Sequence, residues 1–191
     1  MIEWSIDAFR ACGSVRSIVV AAPPGHVHDL GGHDLGVVSG GATRAHSVAN
    51  ALEAVGTELV AIHDAARPLL GAELVEALVS DLERSPDADA VIAATPITDT
   101  VKQAVDRDAP LVVEGSLDRS RLWAAQTPQV FRTAALREAL AVEPAKRDAA
   151  TDEAMLIEVA GGTVLIHPCG PENLKVTTPL DLRLAELLLS P

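Results

Sequence analysis

The chain is nearly without aromatic residues: its 191 positions hold two Trp, two Phe and no Tyr. An interior must therefore come from Ala, Val, Leu and Ile, and hydrophobic residues make up 48% of the sequence, enough for one domain with a sizeable core. Cysteine is scarce as well. Cys12 and Cys169 stand far apart with no C-x-x-C pair, which excludes the usual zinc spacing and a disulfide framework and makes a reducing cytoplasm the expected compartment. No apolar run reaches the ~18 residues of a membrane-spanning helix, and no leader pattern opens the chain. Basic residues are in deficit, 15 Lys and Arg against 27 Asp and Glu, for a net charge of −12. A field of that sign repels polyanions, so neither nucleic acid nor an anionic membrane is an expected partner. A small phosphorylated molecule stays compatible if a few cations converge locally and a divalent cation helps.

What is present alternates. Ile2, Ile6 and Phe9 share a helical face closed by Gly13. Val15 to Ala22 and Leu35 to Ser39 read as strands, followed by a helix from Ala42 with Val48, Ala51, Leu52 and Val55 inward. Leu59 to Ile62 is a strand, and Leu74, Val75, Leu78, Val79 and Leu82 make an amphipathic helix. Ala90 to Ala94 is a strand stopped by Pro96. Residues 97–127 break the rhythm with short alternating pieces, as a hairpin arm would. Trp123 is expected to pack, and Thr127-Pro128-Gln129 to turn into a helix. Helices are expected at 132–142 and 152–160, a strand from Val164 to His167, and a last helix capped by Thr178 with Pro179 at its first position. Leu180, Leu184, Leu187 and Leu188 would face the core from it. Gly31-Gly32 and 144–150 read as loops. Strands alternating with helices imply a largely parallel sheet covered on both faces.

Five places carry candidate chemistry. Gly40-Gly41 before a helix offers bare amides and a helix N-terminus to an anion or nucleobase, with Arg44 and Ser47 on one edge of that helix; a plain strand-to-helix turn with a solvated Arg is the competing reading. An apolar run ends in His63-Asp64-Ala65-Ala66-Arg67-Pro68, where ligands bind in open α/β sheets. There Asp64 suits a metal and Arg67 an anion, or Asp64 caps a turn and pairs with Arg67, and His63 is structural. The arm supplies Thr100, Lys102, Arg119 and Arg121, either toward a ligand or as charges protecting an exposed ribbon. Thr151-Asp152-Glu153 looks like a helix start, with the Thr as cap and the two acids in the first turn. Lys175, flanked by Leu174 and Val176 in the loop before the last helix, suits an anion.

Taken in order, GGATRAHSV, HDAARP, ITDTVK, LDRSRLWAAQTPQVF, ATDEA and NLKVTTPLDL closely resemble the 2-C-methyl-D-erythritol 4-phosphate cytidylyltransferase family over essentially the whole chain. The resemblance implies an α/β fold: a Rossmann-like nucleotidyltransferase with three α/β/α layers, a mostly parallel sheet and a protruding β-arm, residues 97–127, within a single domain of residues 1–191. It implies transfer of a cytidylyl group from CTP to methylerythritol phosphate with release of pyrophosphate, Mg2+ as divalent cofactor, and a homodimer completed by the arm. Gly41, Ser47, Asp64 and Ala65 match the nucleotide contacts, with Asp64 at the metal; Arg67, Thr127, Thr151 and Lys175 match the sugar-phosphate contacts. Thr100 and Arg119 match contacts from the partner's arm, and Arg119 with Lys175 would orient the attacking phosphate. Another polyol phosphate, such as ribitol 5-phosphate, and a non-catalytic dimeric remnant are the alternative readings.

One departure stands out. The family opens with a strand and a Gly-rich loop of the form A-A-G-x-G-x-R followed by Pro-Lys, whereas this sequence opens at Met1-Ile2-Glu3-Trp4. Roughly 30–40 residues, about one βα half-unit, have no counterpart. Two neighbouring strands should then carry unpaired edges, and activity of the chain as written should be small, since one lost electrostatic stabiliser can cost about 10²–10³ in rate. The stop at Pro191 directly after the last helix disfavours a bifunctional polypeptide.

Overall fold

The structure is a computed structural model that describes every residue except Asp29, 31–33, 106–109, 144–146, Asp148 and Pro191. The loops expected at Gly31-Gly32 and across 144–150 fall wholly or partly outside the described residues.

A four-stranded sheet organises the molecule, in the order β3 (Leu59–Ile62), β7 (Trp123–Arg132), β4 (Ala90–Pro96), β8 (Val164–Pro168). β4 opens with the apolar run AVIAA, every side chain of it buried, as a strand covered on both faces requires. Its side chains alternate between layers. Ala90 and Ile92, with Phe131 of β7, pack under α2 (Arg44–Leu52), α4 (Thr133–Leu140) and α5 (Glu153–Val159). Val91 and Ala93, with Val130, pack on the opposite face under Leu78 and Leu82 of α3 (Ala72–Arg84). The expected α/β/α layering follows. The sheet itself is mixed: β4 and β8 run parallel, while β7 runs antiparallel to both β3 and β4. The hairpin arm reverses the chain before β7 and so sets that direction.

β7 corrects two expectations. Thr127-Pro128-Gln129 is not a turn into a helix but the middle of a ten-residue strand. Proline is tolerated there because the ladder is interrupted: Gln129 pairs with Ile92 and Ala125 with Ala94, so residues 126–128 lie in a bulge where no ladder N–H is required. The Thr127–Pro128 bond is cis. Trp123 begins the strand opposite Pro96 and remains partly exposed.

β1 (Ile18–Ala22) and β2 (Leu35–Ser39) form a separate parallel pair. β1 and β3 belong to different sheets. Between them runs an apolar cleft of about 910 Å³, walled by both strands, by Ile6 and Phe9 of α1 (Ile2–Arg10) and by Val48 and Ala51 of α2.

Within residues 97–127, β5 (Lys102–Val105) runs antiparallel to β6 (Val112–Ser116), followed by a short 3-10 turn at Arg119–Arg121, while residues 123–127 already belong to β7 of the main sheet. The last helix, α6 (Pro179–Leu189), starts on a capping box between Thr178 and Asp181. Its leucines correct another expectation. Leu180 and Leu187 are each 71% exposed and Leu184 and Leu188 about half, with Ala185 the buried residue. An apolar stripe turns inward only where another element covers it, and here only Ala185 is covered.

Candidate active site

Three chain segments converge beyond the carboxyl end of β3. The first is the loop after that strand. The backbone N–H of Asp64 donates to Thr127 Oγ1 at 3.0 Å, and that oxygen lies 3.1 Å from His63 Nδ1. His63 Nε2 lies 3.1 Å from the Arg67 carbonyl. With the ring proton on Nε2, a continuous relay results: Asp64 amide to Thr127 hydroxyl to imidazole to Arg67 carbonyl. The imidazole, edge-on to Phe9, is held neutral by burial, which pushes its pKa down to about 4. His63 is therefore a structural clasp, as its sequence context indicated. The β7 bulge is what aims Thr127 out of the ladder and into this clasp.

The second segment is the loop ahead of α6. Asn173 is buried; its side-chain amide donates to Gln126 Oε1 at 2.9 Å and to the Thr127 carbonyl at 2.8 Å. Its own carbonyl accepts from Arg67 Nη1 at 2.7 Å. The Val176 N–H closes the junction by donating to the Ala66 carbonyl at 2.8 Å. Arg67 is thus carried inward to 8% exposure, yet it makes no ion pair among the described residues and its Nε has no hydrogen-bond partner. Burial lowers its pKa, opposed by nearby Asp64. A buried guanidinium held by a backbone carbonyl rather than a carboxylate is a ready partner for an anionic ligand.

The third segment is the turn into α2. Thr43 caps the helix through His46 N, and Ser47 Oγ accepts from Gly41 N at 3.0 Å while donating to the Thr43 carbonyl at 3.0 Å. The Ser47 proton is thereby committed to the loop, leaving its oxygen as an acceptor. A Cβ on Gly41 would collide with that of His46, so the turn excludes any side chain there. From α2, Arg44 reaches across the sheet end to Asp64 Oδ1 through Nε at 3.2 Å and to Glu153 through Nη1. Lys175 takes the other Asp64 oxygen at 2.9 Å. Burial alone would raise the Asp64 pKa; the Lys175 and Arg44 contacts outweigh it and hold the carboxyl below its ordinary range.

Asp64, Arg67, Thr127 and Lys175 therefore meet at one strand end, with Gly41 and Ser47 on its α2 side and exposed Ala65 at the cleft. Three cations there face two carboxylates, so the local charge is positive although the chain as a whole is strongly acidic. Thr151 is not a helix cap: Asp152 caps α5 by accepting from Met155 N at 3.0 Å, while Thr151 is exposed beside Met155 Sδ and hydrogen-bonded to none of the cluster's side chains among the described residues. The Asp152 side chain sits one residue closer to the free amide. Thr100 and Arg119 are not brought to the cluster within this chain; both are exposed in the arm, with Arg119 on the Thr98 carbonyl. Sequence reasoning gave Asn173, Gln126 and Glu153 no site role. Their polarity inside apolar surroundings was the available signal, but contacts spanning 47 and 109 positions are invisible to local patterns.

Comparisons with known proteins bear on this cluster. Residues 1–191 match the family model described as IspD: 2-C-methyl-D-erythritol 4-phosphate cytidylyltransferase. A 2-C-methyl-D-erythritol 4-phosphate cytidylyltransferase of Symbiobacterium thermophilum is 44% identical over 195 residues, covering 97% of this chain and 78% of that protein. A bifunctional enzyme IspD/IspF of Anaeromyxobacter dehalogenans is 42% identical over 99% of this chain, which spans only 50% of that protein's length. The chain likewise spans about half of a second such bifunctional relative. Among solved structures, the 2-C-methyl-D-erythritol 4-phosphate cytidylyltransferase of Thermus thermophilus superposes with a TM-score of 0.84 at 35% identity, covering 98% of this chain and 87% of that one.

Proposed function

The chain belongs to the 2-C-methyl-D-erythritol 4-phosphate cytidylyltransferase family, and on that premise we propose that its strand-end cluster joins CTP to 2-C-methyl-D-erythritol 4-phosphate. In that reaction a phosphate oxygen of the sugar attacks the α-phosphorus of CTP; the new P–O bond forms as the bridge to the β-phosphorus breaks, and pyrophosphate leaves. Such transfer asks for positioning and charge neutralisation rather than a covalent intermediate. The observation that carries the reading is convergence: residues that the resemblance assigns to one substrate cleft, Asp64, Arg67, Thr127 and Lys175, sit around one strand end although they are up to 111 positions apart. Arg67 is the fixed anion anchor, buried and bound to no carboxylate among the described residues. Lys175, on a flexible stem and 44% exposed, is the cation that turns from Asp64 to the incoming phosphate. Gly41 keeps the turn into α2 tight, since a side chain there would collide with His46.

Among the described residues no three His, Cys, Asp or Glu side chains gather into a metal cage. Magnesium takes one or two carboxylates and fills its remaining positions with water and phosphate oxygens, so the lone Asp64 carboxylate fits a cation that arrives with the triphosphate. Such a cation supplies charge neutralisation on the transferring and leaving phosphates. The exposed arm, with Leu111 and Val113 on its surface, supports a homodimer in which Thr100 and Arg119 reach the partner's cluster. Two free cysteines, and no described helix long and apolar enough to cross a membrane, support a cytoplasmic setting.

Calorimetric titration with CTP and Mg2+, followed by methylerythritol phosphate, should show both ligands bound, and pyrophosphate release should follow when the two are mixed. Absence of binding for either ligand, or binding of both with no pyrophosphate released, removes the reading.

A further inference from the structure

Glu153 touches none of the groups assigned to substrate, and a role for it rests on the cytidylyl-transfer reading. Its carboxylate is 1% exposed, at the start of a seven-residue helix, and it binds the Nη1 edge of Arg44. The Nε edge of the same guanidinium binds Asp64 at 3.2 Å. A guanidinium is planar with donors in fixed directions, so gripping it at two edges fixes its plane. Two consequences follow. Arg44 cannot swing toward a phosphate while Glu153 holds it. Its charge is also divided between two carboxylates, so Asp64 is less fully neutralised than an undivided Arg44 would make it. Lys175, the other cation on Asp64, is half exposed and free to leave.

We propose that Glu153 is a positioning residue that, through Arg44, keeps Asp64 available to a divalent cation. A helix-start role alone explains an acid at this place on the surface, but not its complete burial against a cation from α2, 109 residues away. If Glu153 merely braced the fold, every loss in this pair would weaken the site in the same direction. If it divides the charge of Arg44, the two partners act with opposite sign.

The test reads Mn2+ directly by electron paramagnetic resonance in the presence of CTP, on the full chain. Glu153→Gln keeps the shape and removes the charge, and Mn2+ affinity should fall about tenfold. Arg44→Gln should move the other way, to about threefold tighter Mn2+. The double variant should return to within about threefold of the parent, a non-additivity that isolates the pair. In kinetics the metal activation constant should rise in Glu153→Gln while the rate at saturating metal stays close to the parent's. An unchanged Mn2+ affinity in Glu153→Gln, weaker Mn2+ in Arg44→Gln, or a double variant no better than Glu153→Gln overturns the proposal. Should Glu153→Gln fail to fold, the sign of the Arg44→Gln effect decides alone. A parent chain that binds no Mn2+ with CTP overturns the cytidylyl-transfer reading instead, and the role of Glu153 with it.

Discussion

The two sheets are written in much the same alphabet and buried to different depths. β4 and β7 contribute Ala90, Val91, Ala93, Ala94, Val130 and Phe131, all with no exposed surface. β1 and β2 are equally rich in Val, Ile and Ala, yet most of their side chains are only half covered. The difference lies in neighbours rather than composition. The four-stranded sheet has helices on both faces and strands on both sides of β7 and β4, whereas β1 pairs with β2 on one side and borders the cleft on the other. β-propensity is a statement about fitting a covered pleated surface, and here one sequence type meets that condition in one half and misses it in the other.

This contrast can be broken most directly by truncating matched positions. Val91→Ala in β4 should destabilise by about 2–4 kcal/mol, while Val19→Ala in β1 should cost under about 1 kcal/mol; urea unfolding of the two variants checks this, and equal costs would erase the distinction. Acid should separate the halves next. The folded-state pKa of His63 is depressed to about 4 from an ordinary value of 6.5. Stability from its neutral form is complete above pH 6.5 and is lost as pH falls toward 4, up to about 3 kcal/mol. Because His63 touches Phe9, α1 should loosen first: Trp4 emission should shift before that of Trp123, resolved in single-Trp variants. Asn173→Ala should cost about 1–3 kcal/mol by stranding Gln126 and the Thr127 carbonyl, and should raise KM for the sugar phosphate more than for CTP. Smallest is Thr178→Ala, about 0.5–1 kcal/mol from the lost cap, visible as faster amide exchange in α6 alone.

Much of the fold was legible because local periodicity and burial agreed. Leu74, Val75, Leu78 and Leu82 announce α3 by their spacing, and AVIAA announces a strand covered on both sides. β7 was not legible. Ala-Ala-Gln-Thr-Pro-Gln has weak strand preference, and its proline argues against a central strand unless a bulge is known in advance. The leucines of α6 misled for the opposite reason: the periodicity is genuine, but no described element covers that face. At the site, the strand-end logic pointed to Asp64 and Arg67, and the apolar flanks of the loop ahead of the last helix pointed to Lys175. Thr127 was reached through resemblance, and its orientation toward Asp64 depends on the bulge. Glu153 read as an ordinary first-turn acid because its partner lies on another helix, and no short-range pattern encodes that pairing.

The cleft between the sheets has a practical consequence at the bench. Dyes that brighten in oily surroundings will meet a cleft of about 910 Å³ lined by Val, Ile, Leu and Phe together with Arg16, Glu58, Glu83 and Arg132. A thermal-shift trace recorded with such a dye should start bright and rise little on heating, a signature ordinarily taken for a half-melted sample. For this protein the glow at room temperature reports architecture, and melting is better followed by circular dichroism.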